Sequence, residues 1–258
     1  MDFDNIKMKI NNMIQQKIIA IGGGSGLNKE SISKINHRII EISGKQNPSI
    51  LFIPTATRDD EKYIQKFTDY FQYLGAHVSV LYLYKEKPTA EQIKEKIDYV
   101  DIIYVGGGNT LRMMNLFRKL GVDKFLKQAW ESGKVLCGVS AGSICWFNSG
   151  NSDSRKDNNP DADYINVTAL GFLDAMNCPH YDSESNRKTS FTKMLKKYPG
   201  VGIALDDSAA IEVIGDTYKI ITSIDSAQAY KVYWKNGTFY QEVLDQKNYN
   251  SLVSLLSK

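Results

Sequence analysis

Residues 138–142 read Gly-Val-Ser-Ala-Gly, a G-x-S-x-G pattern that is typical of serine nucleophiles. The apolar run 135–137 before it predicts a buried strand, and the apolar run 144–147 after it predicts the start of a buried helix. A serine at the tip of a tight strand-to-helix turn exposes its hydroxyl. Only small residues fit two positions before and after such a serine. We therefore predict that Ser140 is a nucleophile.

A serine hydroxyl is a weak nucleophile unless a nearby base takes its proton, and histidine is the usual base. The chain has three histidines. His37 lies in a predicted helix, and His77 begins a predicted strand at the end of the sheet opposite to Ser140. His180 follows a proline in a predicted loop, so elimination favours His180 as the base.

A carboxylate that orients the imidazole would complete the catalytic set. Asp206 and Asp207 directly follow the apolar run 202–205, which predicts a short strand, and they are the best candidates. Asp182 and Asp153 are weaker alternatives. The resulting chain order of serine, histidine and acid differs from that of α/β-hydrolases, which argues against an ordinary esterase.

Hydrolysis by a serine also needs hydrogen-bond donors for the oxyanion that forms on the substrate. The residue after the nucleophile is Ala141, and its N–H is one expected donor. The second donor is expected from the glycine loop 106–108, where we choose Gly107, because a chain without side chains can approach the serine closely.

Composition limits the remaining function classes. The chain has 258 residues and a net charge of +3, which is too small to indicate nucleic-acid binding. It has no apolar run of about 20 residues and no secretory signal, so we expect a cytoplasmic protein that does not bind membranes. The three cysteines, without a C-x-x-C pair, indicate neither a disulfide framework nor a zinc site.

Strands and helices alternate along the first half of the chain, which predicts an α/β fold with a mostly parallel sheet and helices on both faces. The predicted strands are 17–21, 49–54, 77–82, 102–105 and 135–137, and the predicted helices include 29–42, 59–74 and 89–97. The loops at 22–26, 55–58, 106–110 and 138–142 should share one crevice at the carboxyl ends of the strands. Residues 22–26 fail as a dinucleotide fingerprint, because the third glycine of that pattern would fall on Leu27.

The second half of the chain does not continue the alternation of strands and helices. Residues 148–163 are polar and predict a loop, which we expect to be mobile, and residues 184–198 predict a helix. Short strands at 202–205, 209–214, 218–221, 228–234 and 238–242 predict an antiparallel C-terminal extension of the parallel sheet. We expect one domain over residues 17–258, preceded by a leader segment at 1–16.

Four segments, VGGGNTLRMM, GVSAGSICWF, NCPHYD and GIALDDSAAIEV, resemble in this order the dipeptidase E and cyanophycinase family of serine peptidases. The resemblance implies a three-layer, flavodoxin-like fold related to class I glutamine amidotransferases. It implies Ser140 as nucleophile and His180 as base, and it places the acid on Asp207. The family commonly has glutamate there, so the shorter aspartate leaves Asp206 as an alternative.

The resemblance further implies a serine exopeptidase that acts on short peptides, including dipeptides with an N-terminal aspartate. Arg187 falls near the family arginine that reads the acidic side chain, and Asn109 is our second candidate for substrate binding. We expect no metal and no organic cofactor, a small peptide as partner, and a monomer or a homodimer. The alternatives are a binding or sensor protein without activity and a hydrolase of β-aspartyl-arginine peptides.

Overall fold

A computed structural model describes residues 15–24, 27, 33–184 and 186–258. Within these residues the chain forms fourteen strands and eight α-helices. The strands are β1 (Lys17–Ile21), β2 (Ser49–Ile53), β3 (His77–Val80), β4 (Ile102–Val105), β5 (Val135–Val139), β6 (Phe147–Ser152), β7 (Ile165–Thr168), β8 (Leu173–Cys178), β9 (Val201–Leu205), β10 (Ala209–Ile214), β11 (Thr217–Thr222), β12 (Ala229–Lys235), β13 (Thr238–Val243) and β14 (Asn250–Ser251). The helices are α1 (Ser33–Ile42), α2 (Glu61–Tyr73), α3 (Ala90–Asp98), α4 (Thr110–Leu120), α5 (Val122–Glu131), α6 (Ala141–Ile144), α7 (Arg187–Lys197) and α8 (Leu252–Leu256).

The larger sheet has eight strands in the order β14-β11-β10-β1-β5-β4-β2-β3. The five strands from β1 to β3 in that order are parallel, and β10, β11 and β14 join the β1 edge in antiparallel pairs. The predicted α/β class with a mostly parallel sheet is therefore confirmed. The parallel strands are apolar on both faces because helices cover one face and helices with the second sheet cover the other.

The rest of the chain forms a separate mixed sheet of six strands in the order β13-β12-β9-β8-β6-β7. Strands β6, β8 and β9 are parallel in this sheet, whereas β7, β12 and β13 pair antiparallel. The predicted antiparallel extension of the first sheet is therefore correct for β10 and β11 only. The predicted strands that correspond to β9, β12 and β13 lie instead in the second sheet.

Successive side chains of a strand face opposite sides of a sheet, and β1 shows how the two cores arise. Ile18 and Ala20 point into the core shared with α3, α4, α5 and the second sheet. Ile19 and Ile21 point into the core shared with α1 and α2. All four side chains are fully buried, so β1 is enclosed on both faces at the centre of the fold.

The prediction for residues 144–163 was wrong in two places. The helix that follows Ser140 ends after one turn at Ile144, and Phe147 begins β6 within the segment predicted as a loop. Strand β6 carries the polar residues Asn151 and Ser152, which are buried and hydrogen-bonded, so the strand lacks the apolar pattern of its neighbours. Gly150 is needed there because a Cβ would lie 2.6 Å from Ile144 Cγ2.

The other predicted elements agree with the structure to within three residues. Strands β7, β8 and β14 and helix α8 were not predicted from the sequence. The predicted helix at 184–198 begins at Arg187. The predicted helix at 29–42 is observed from Ser33, and the start of that segment lies outside the described residues, as do residues 1–14 of the predicted leader. Within the described part of the chain, every helix is too short or too polar to cross a membrane.

A partly buried ion pair joins α1 to the antiparallel edge of the larger sheet. Arg38 Nε and Nη2 donate to the two carboxylate oxygens of Glu212 at 2.6 and 3.2 Å, and Tyr249 donates its hydroxyl to Glu212 at 2.6 Å. The Glu212 side chain is fully excluded from solvent, so its charge depends on these donors.

We expect Arg38→Ala to lower the free energy of unfolding by about 3 kcal/mol, because it leaves a buried carboxylate without its cation. Urea unfolding at pH 7 measures the change. Lys34→Ala, at an exposed position of the same helix, is the matched control and should change stability by less than about 0.5 kcal/mol. Equal losses in the two variants would contradict the importance of the ion pair.

Candidate active site

Ser140 lies at the tip of the turn between β5 and α6. Its φ of 57° and ψ of −111° are unusual for a residue with a side chain. Such a backbone conformation costs about 1–3 kcal/mol and persists only where the surrounding structure imposes it. Here the Ser140 N–H donates to the carbonyl of Ile21 at 3.0 Å, which connects the turn to the end of β1.

The two glycines that flank Ser140 are required by close backbone contacts. A Cβ at Gly138 would lie 2.5 Å from the carbonyl oxygen of Gly142, and a Cβ at Gly142 would lie 2.0 Å from that of Val105. Real Cβ atoms essentially never approach backbone atoms so closely. The crowding that the G-x-S-x-G pattern predicts is therefore confirmed.

The structure brings Ser140, His180 and Asp207 together from three distant segments. His180 Nε2 lies 2.9 Å from Ser140 Oγ, and His180 Nδ1 lies 2.7 Å from Asp207 Oδ1. The imidazole therefore lies between the hydroxyl and the carboxylate, each within hydrogen-bond distance. The His180 and Asp207 side chains are 20% and 29% exposed, so the set is open to solvent on one side. We call these three residues the triad.

Asp206 and Asp207 are adjacent in the chain but differ in their hydrogen-bond partners and in the direction of their pKa shifts. Asp206 turns away from the imidazole, and its Oδ2 accepts the Gln228 N–H at 3.0 Å. Burial, together with the charge of Asp182, raises the pKa of Asp206 to about 6. Burial also raises the pKa of Asp207, but the hydrogen bond and charge of His180 outweigh it, so that this pKa lies below its usual value.

The other two candidate acids do not contact the imidazole through a hydrogen bond. Asp182 Oδ1 accepts the N–H of Asp207 at 2.8 Å and so fixes the backbone of that residue. Asp153 lies in the turn after β6, where its carbonyl accepts the Lys156 N–H. Asp182 thus supports the position of Asp207 from behind.

The two expected oxyanion donors lie beside Ser140. A Cβ at Gly107 would be 3.3 Å from Ser140 Cβ, so the glycine loop passes directly against the serine. The Gly107 N–H donates to the Tyr63 hydroxyl at 3.3 Å, so a substrate oxygen must displace this hydroxyl or share the N–H with it. Ala141 begins α6, where the first N–H groups of a helix have no partner within the helix. Tyr63 is a residue that sequence reasoning missed, because no local pattern links it to the loop.

Asn109 and Arg187, the predicted substrate-binding residues, both have partners within the protein. Asn109 caps α4 by accepting the Arg112 N–H, and its amide donates to Ser154 O and Asp157 Oδ2, both at 2.8 Å. Ser154 and Asp157, in the segment predicted as a loop, are therefore bonded to the loop that carries Gly107. Arg187 is 2% exposed and donates to Asn151 O at 2.7 Å and to Glu184 Oε2 at 2.6 Å. Their roles in substrate binding stay predictions.

The glycine segment at 22–24, whose sequence does not fit a dinucleotide fingerprint, also lies at the triad. A Cβ at Gly23 would be 2.1 Å from Asp207 Oδ1 and 2.3 Å from His180 Cε1. The run of glycines after a buried strand was the available signal for such a close approach. Its neighbours were not visible from the sequence.

Other nucleophiles and a metal centre receive no support from the described residues. Cys137, Cys145 and Cys178 are buried free thiols, and burial raises the pKa of all three, that of Cys178 to about 12. A buried thiol with a raised pKa is inert at neutral pH. In the described ranges, no three His, Cys, Asp or Glu side chains are grouped in a way that could hold a metal ion.

Comparisons with known proteins bear on the family and the fold of the chain. The family model described as "Peptidase family S51" matches residues 18–221. The uncharacterized peptidase YgaJ of Bacillus subtilis (strain 168) is 36% identical over 219 residues, which are 84% of this chain and 92% of YgaJ. Two solved structures share the fold. A peptidase from an acI-B1 Actinobacterium has a TM-score of 0.70 at 18% identity, over 91% of this chain and 96% of its own. A peptidase E protein from Listeria monocytogenes EGD-e has a TM-score of 0.62 at 22% identity, over 81% of this chain and 98% of its own.

We expect Gly142→Ala to destabilise the fold by about 3 kcal/mol, because the new methyl group overlaps the carbonyl of Val105. Gly200→Ala is the matched control, since a Cβ there meets nothing within 4 Å. Thermal unfolding of the purified variants measures the difference. Similar melting temperatures for Gly142→Ala and Gly200→Ala would show that the turn tolerates a side chain.

The pKa of about 6 at Asp206 predicts a pH-dependent stability difference. Between about pH 4 and pH 6 the folded chain binds more protons at Asp206 than the unfolded chain does, so this residue lowers stability as pH rises. The amide in the variant Asp206→Asn cannot ionise, so the variant does not lose stability in this way. Its free energy of unfolding, relative to that of the wild type, should rise by about 2 kcal/mol from pH 4 to pH 7.5. Urea unfolding at both pH values tests this, and a difference that does not vary with pH would contradict it.

Proposed function

The chain belongs to peptidase family S51, and from that premise we propose that it is a serine exopeptidase that hydrolyses short peptides through Ser140, His180 and Asp207. The observation that carries the proposal is the continuous pair of contacts from Ser140 Oγ to His180 Nε2 and from His180 Nδ1 to Asp207 Oδ1. If these contacts had only a structural role, as in a buried ion network, the serine would not need its unusual backbone conformation. This combination is suited to nucleophilic attack.

In the first half of the reaction, Ser140 Oγ attacks the peptide carbonyl carbon while His180 Nε2 takes the hydroxyl proton. Asp207 accepts the Nδ1–H of His180, which holds the tautomer with a free Nε2 and stabilises the imidazolium that forms. The lowered pKa of Asp207 keeps the carboxylate charged at neutral pH, as this role requires. The N–H groups of Ala141 and Gly107 hold the oxyanion.

In the second half, His180 gives the proton to the departing amine, and the carbon–nitrogen bond breaks to leave an acyl ester on Ser140. A water molecule then attacks the ester, His180 takes one of its protons, and the carboxylic acid product leaves with Ser140 protonated again. No step uses a metal or an organic cofactor. Tyr63 accepts the Gly107 N–H in the free protein and so keeps that donor satisfied until substrate arrives.

For the substrate, we propose short peptides that include dipeptides with an N-terminal aspartate. A guanidinium suits a carboxylate, and Arg187 lies seven residues after His180 at the start of α7. To read a substrate side chain, Arg187 must exchange Glu184 Oε2 for the substrate carboxylate, because Glu184 occupies Nη2 in the free protein. The Glu184 N–H donates to the His180 carbonyl, so this exchange would occur close to the triad.

We expect Ser140→Ala to lower kcat/KM at least about 10⁴-fold on any peptide that the wild type cleaves, because the attacking oxygen is removed. A panel of Asp-Xaa dipeptides, other dipeptides and β-aspartyl-arginine peptides, followed by release of free amine, identifies that peptide. Ser79→Ala, on the exposed edge strand β3, is the matched serine control. Cleavage that survives in Ser140→Ala, or no cleavage of any peptide by the wild type, would contradict the proposal.

Asp207→Asn should lower kcat about 10⁴-fold, because an amide in place of the carboxylate favours the wrong imidazole tautomer. Asp206→Asn is the matched control at the neighbouring position and should keep kcat within about threefold, since Asp206 contacts Gln228 rather than His180. Steady-state kinetics on the best peptide of the panel measures both variants. The reverse ranking would show that Asp206 is the working acid.

A further inference from the structure

The backbone of residues 21–23 contacts all three segments that carry the triad, and on this basis we propose that Gly23 is a positioning residue that sets the spacing of His180 and Asp207. The inference rests on the proposed function for its kinetic consequences. Its geometric part concerns the contact between an imidazole and a carboxylate, which can be measured without any substrate.

Three consecutive carbonyl groups each accept a hydrogen bond from one triad segment. Ile21 O accepts the N–H of Ser140 at 3.0 Å, and Gly22 O accepts the N–H of His180 at 3.3 Å. Gly23 O accepts the N–H of Ser208, the residue after Asp207, at 2.9 Å. A displacement of residues 21–23 would therefore move all three segments relative to one another.

Gly23 also lies in direct contact with the two side chains that must meet. A Cβ at this position would lie 2.1 Å from Asp207 Oδ1, 2.3 Å from His180 Cε1 and 2.4 Å from His180 Nδ1. These atoms belong to both partners of the 2.7 Å contact between Nδ1 and Oδ1. A methyl group at residue 23 would therefore displace the imidazole, the carboxylate or both.

The support for residues 21–23 is rigid. They continue directly from β1, which pairs with β5 on one side and with β10 on the other. The Gly22 N–H donates to Ala209 O at 2.8 Å, which extends the pairing with β10 by one residue. A catalytic set must be held to within about 0.5 Å, and sites built on strand ends meet this demand better than sites on free loops.

The neighbours of Gly23 also decide against a phosphate-binding role for this glycine segment. Glycine loops that bind phosphates leave open space in which the ligand approaches the backbone. At Gly23 that space is filled by the side chains of His180 and Asp207. At Gly22 it is filled by backbone, since a Cβ would lie 2.3 Å from Asp206 O. The absence of a side chain at Gly23 therefore makes room for His180 and Asp207 and not for a ligand.

The direct test is Gly23→Ala, with Gly200→Ala as the control glycine whose Cβ meets nothing within 4 Å. One readout is the downfield proton NMR resonance of the His180 Nδ1–H, assigned by its loss in His180→Ala. We expect this resonance in the wild type and in Gly200→Ala, and we expect its loss in folded Gly23→Ala. We also expect kcat to fall about 100-fold with KM changed less than about threefold, because a small misplacement of catalytic groups costs about this factor.

The NMR readout separates the two hypotheses. If the wild type cleaves no peptide but Gly23→Ala loses the resonance, the proposed function fails and the positioning role stands. If Gly23→Ala is folded, keeps the resonance and keeps kcat within about threefold, the positioning role is overturned.

A second background keeps the test decisive if Gly23→Ala does not fold. The same substitution is placed in a His180→Ala/Asp207→Ala background, where the side chains that the new methyl group would meet are absent. Recovery of a cooperative thermal transition in that background supports the inference, because the cost then arises from the triad side chains. Failure to fold there as well would show that residue 23 clashes with something else and would overturn it.

Discussion

The close approach of backbone to backbone around Ser140 is the constraint on which the rest of the structure depends. A side chain at Gly138 or Gly142 would overlap the carbonyl group of Gly142 or Val105, and Ser140 has its unusual φ and ψ between these two glycines. The strain is offset by the surrounding buried strands, since the core residues of β1, β4 and β5 are almost fully excluded from solvent. The loop after β8 and the turn between β9 and β10 then need only deliver an imidazole and a carboxylate to a serine that is already fixed.

Electrostatics distinguishes two aspartates that are neighbours in the chain. Asp207 gains a cationic or hydrogen-bonding partner in His180, which lowers its pKa, whereas Asp206 is buried near Asp182 and its pKa is raised. An acid that orients a histidine must stay ionised, and the position of Asp207 provides for this. The Asp207 carboxylate reaches His180 beside Gly23, where a Cβ would overlap both side chains.

Much of this was accessible from the sequence, and the exceptions have physical causes. Apolar runs and glycine-rich exits predicted the parallel sheet, and the family resemblance is confirmed by the match over residues 18–221. Strand β6 was missed because its buried polar residues are satisfied by partners far along the chain, such as Ser190 for Asn151. The contacts of Gly23 were missed for the same reason, since they depend on side chains more than 150 residues away. Local patterns predict local elements and cannot show which distant groups fill the space beside a glycine.

The most direct test of the account is the site and rate of covalent labelling by a fluorophosphonate, which reacts with serines that a neighbouring base activates. Peptide mapping by mass spectrometry should find one adduct, on Ser140, in the wild type. His180→Ala should label at least about 100-fold more slowly, because the base no longer takes the hydroxyl proton. No adduct on Ser140 under conditions that label a known serine peptidase, or an equal rate in His180→Ala, would contradict the central claim.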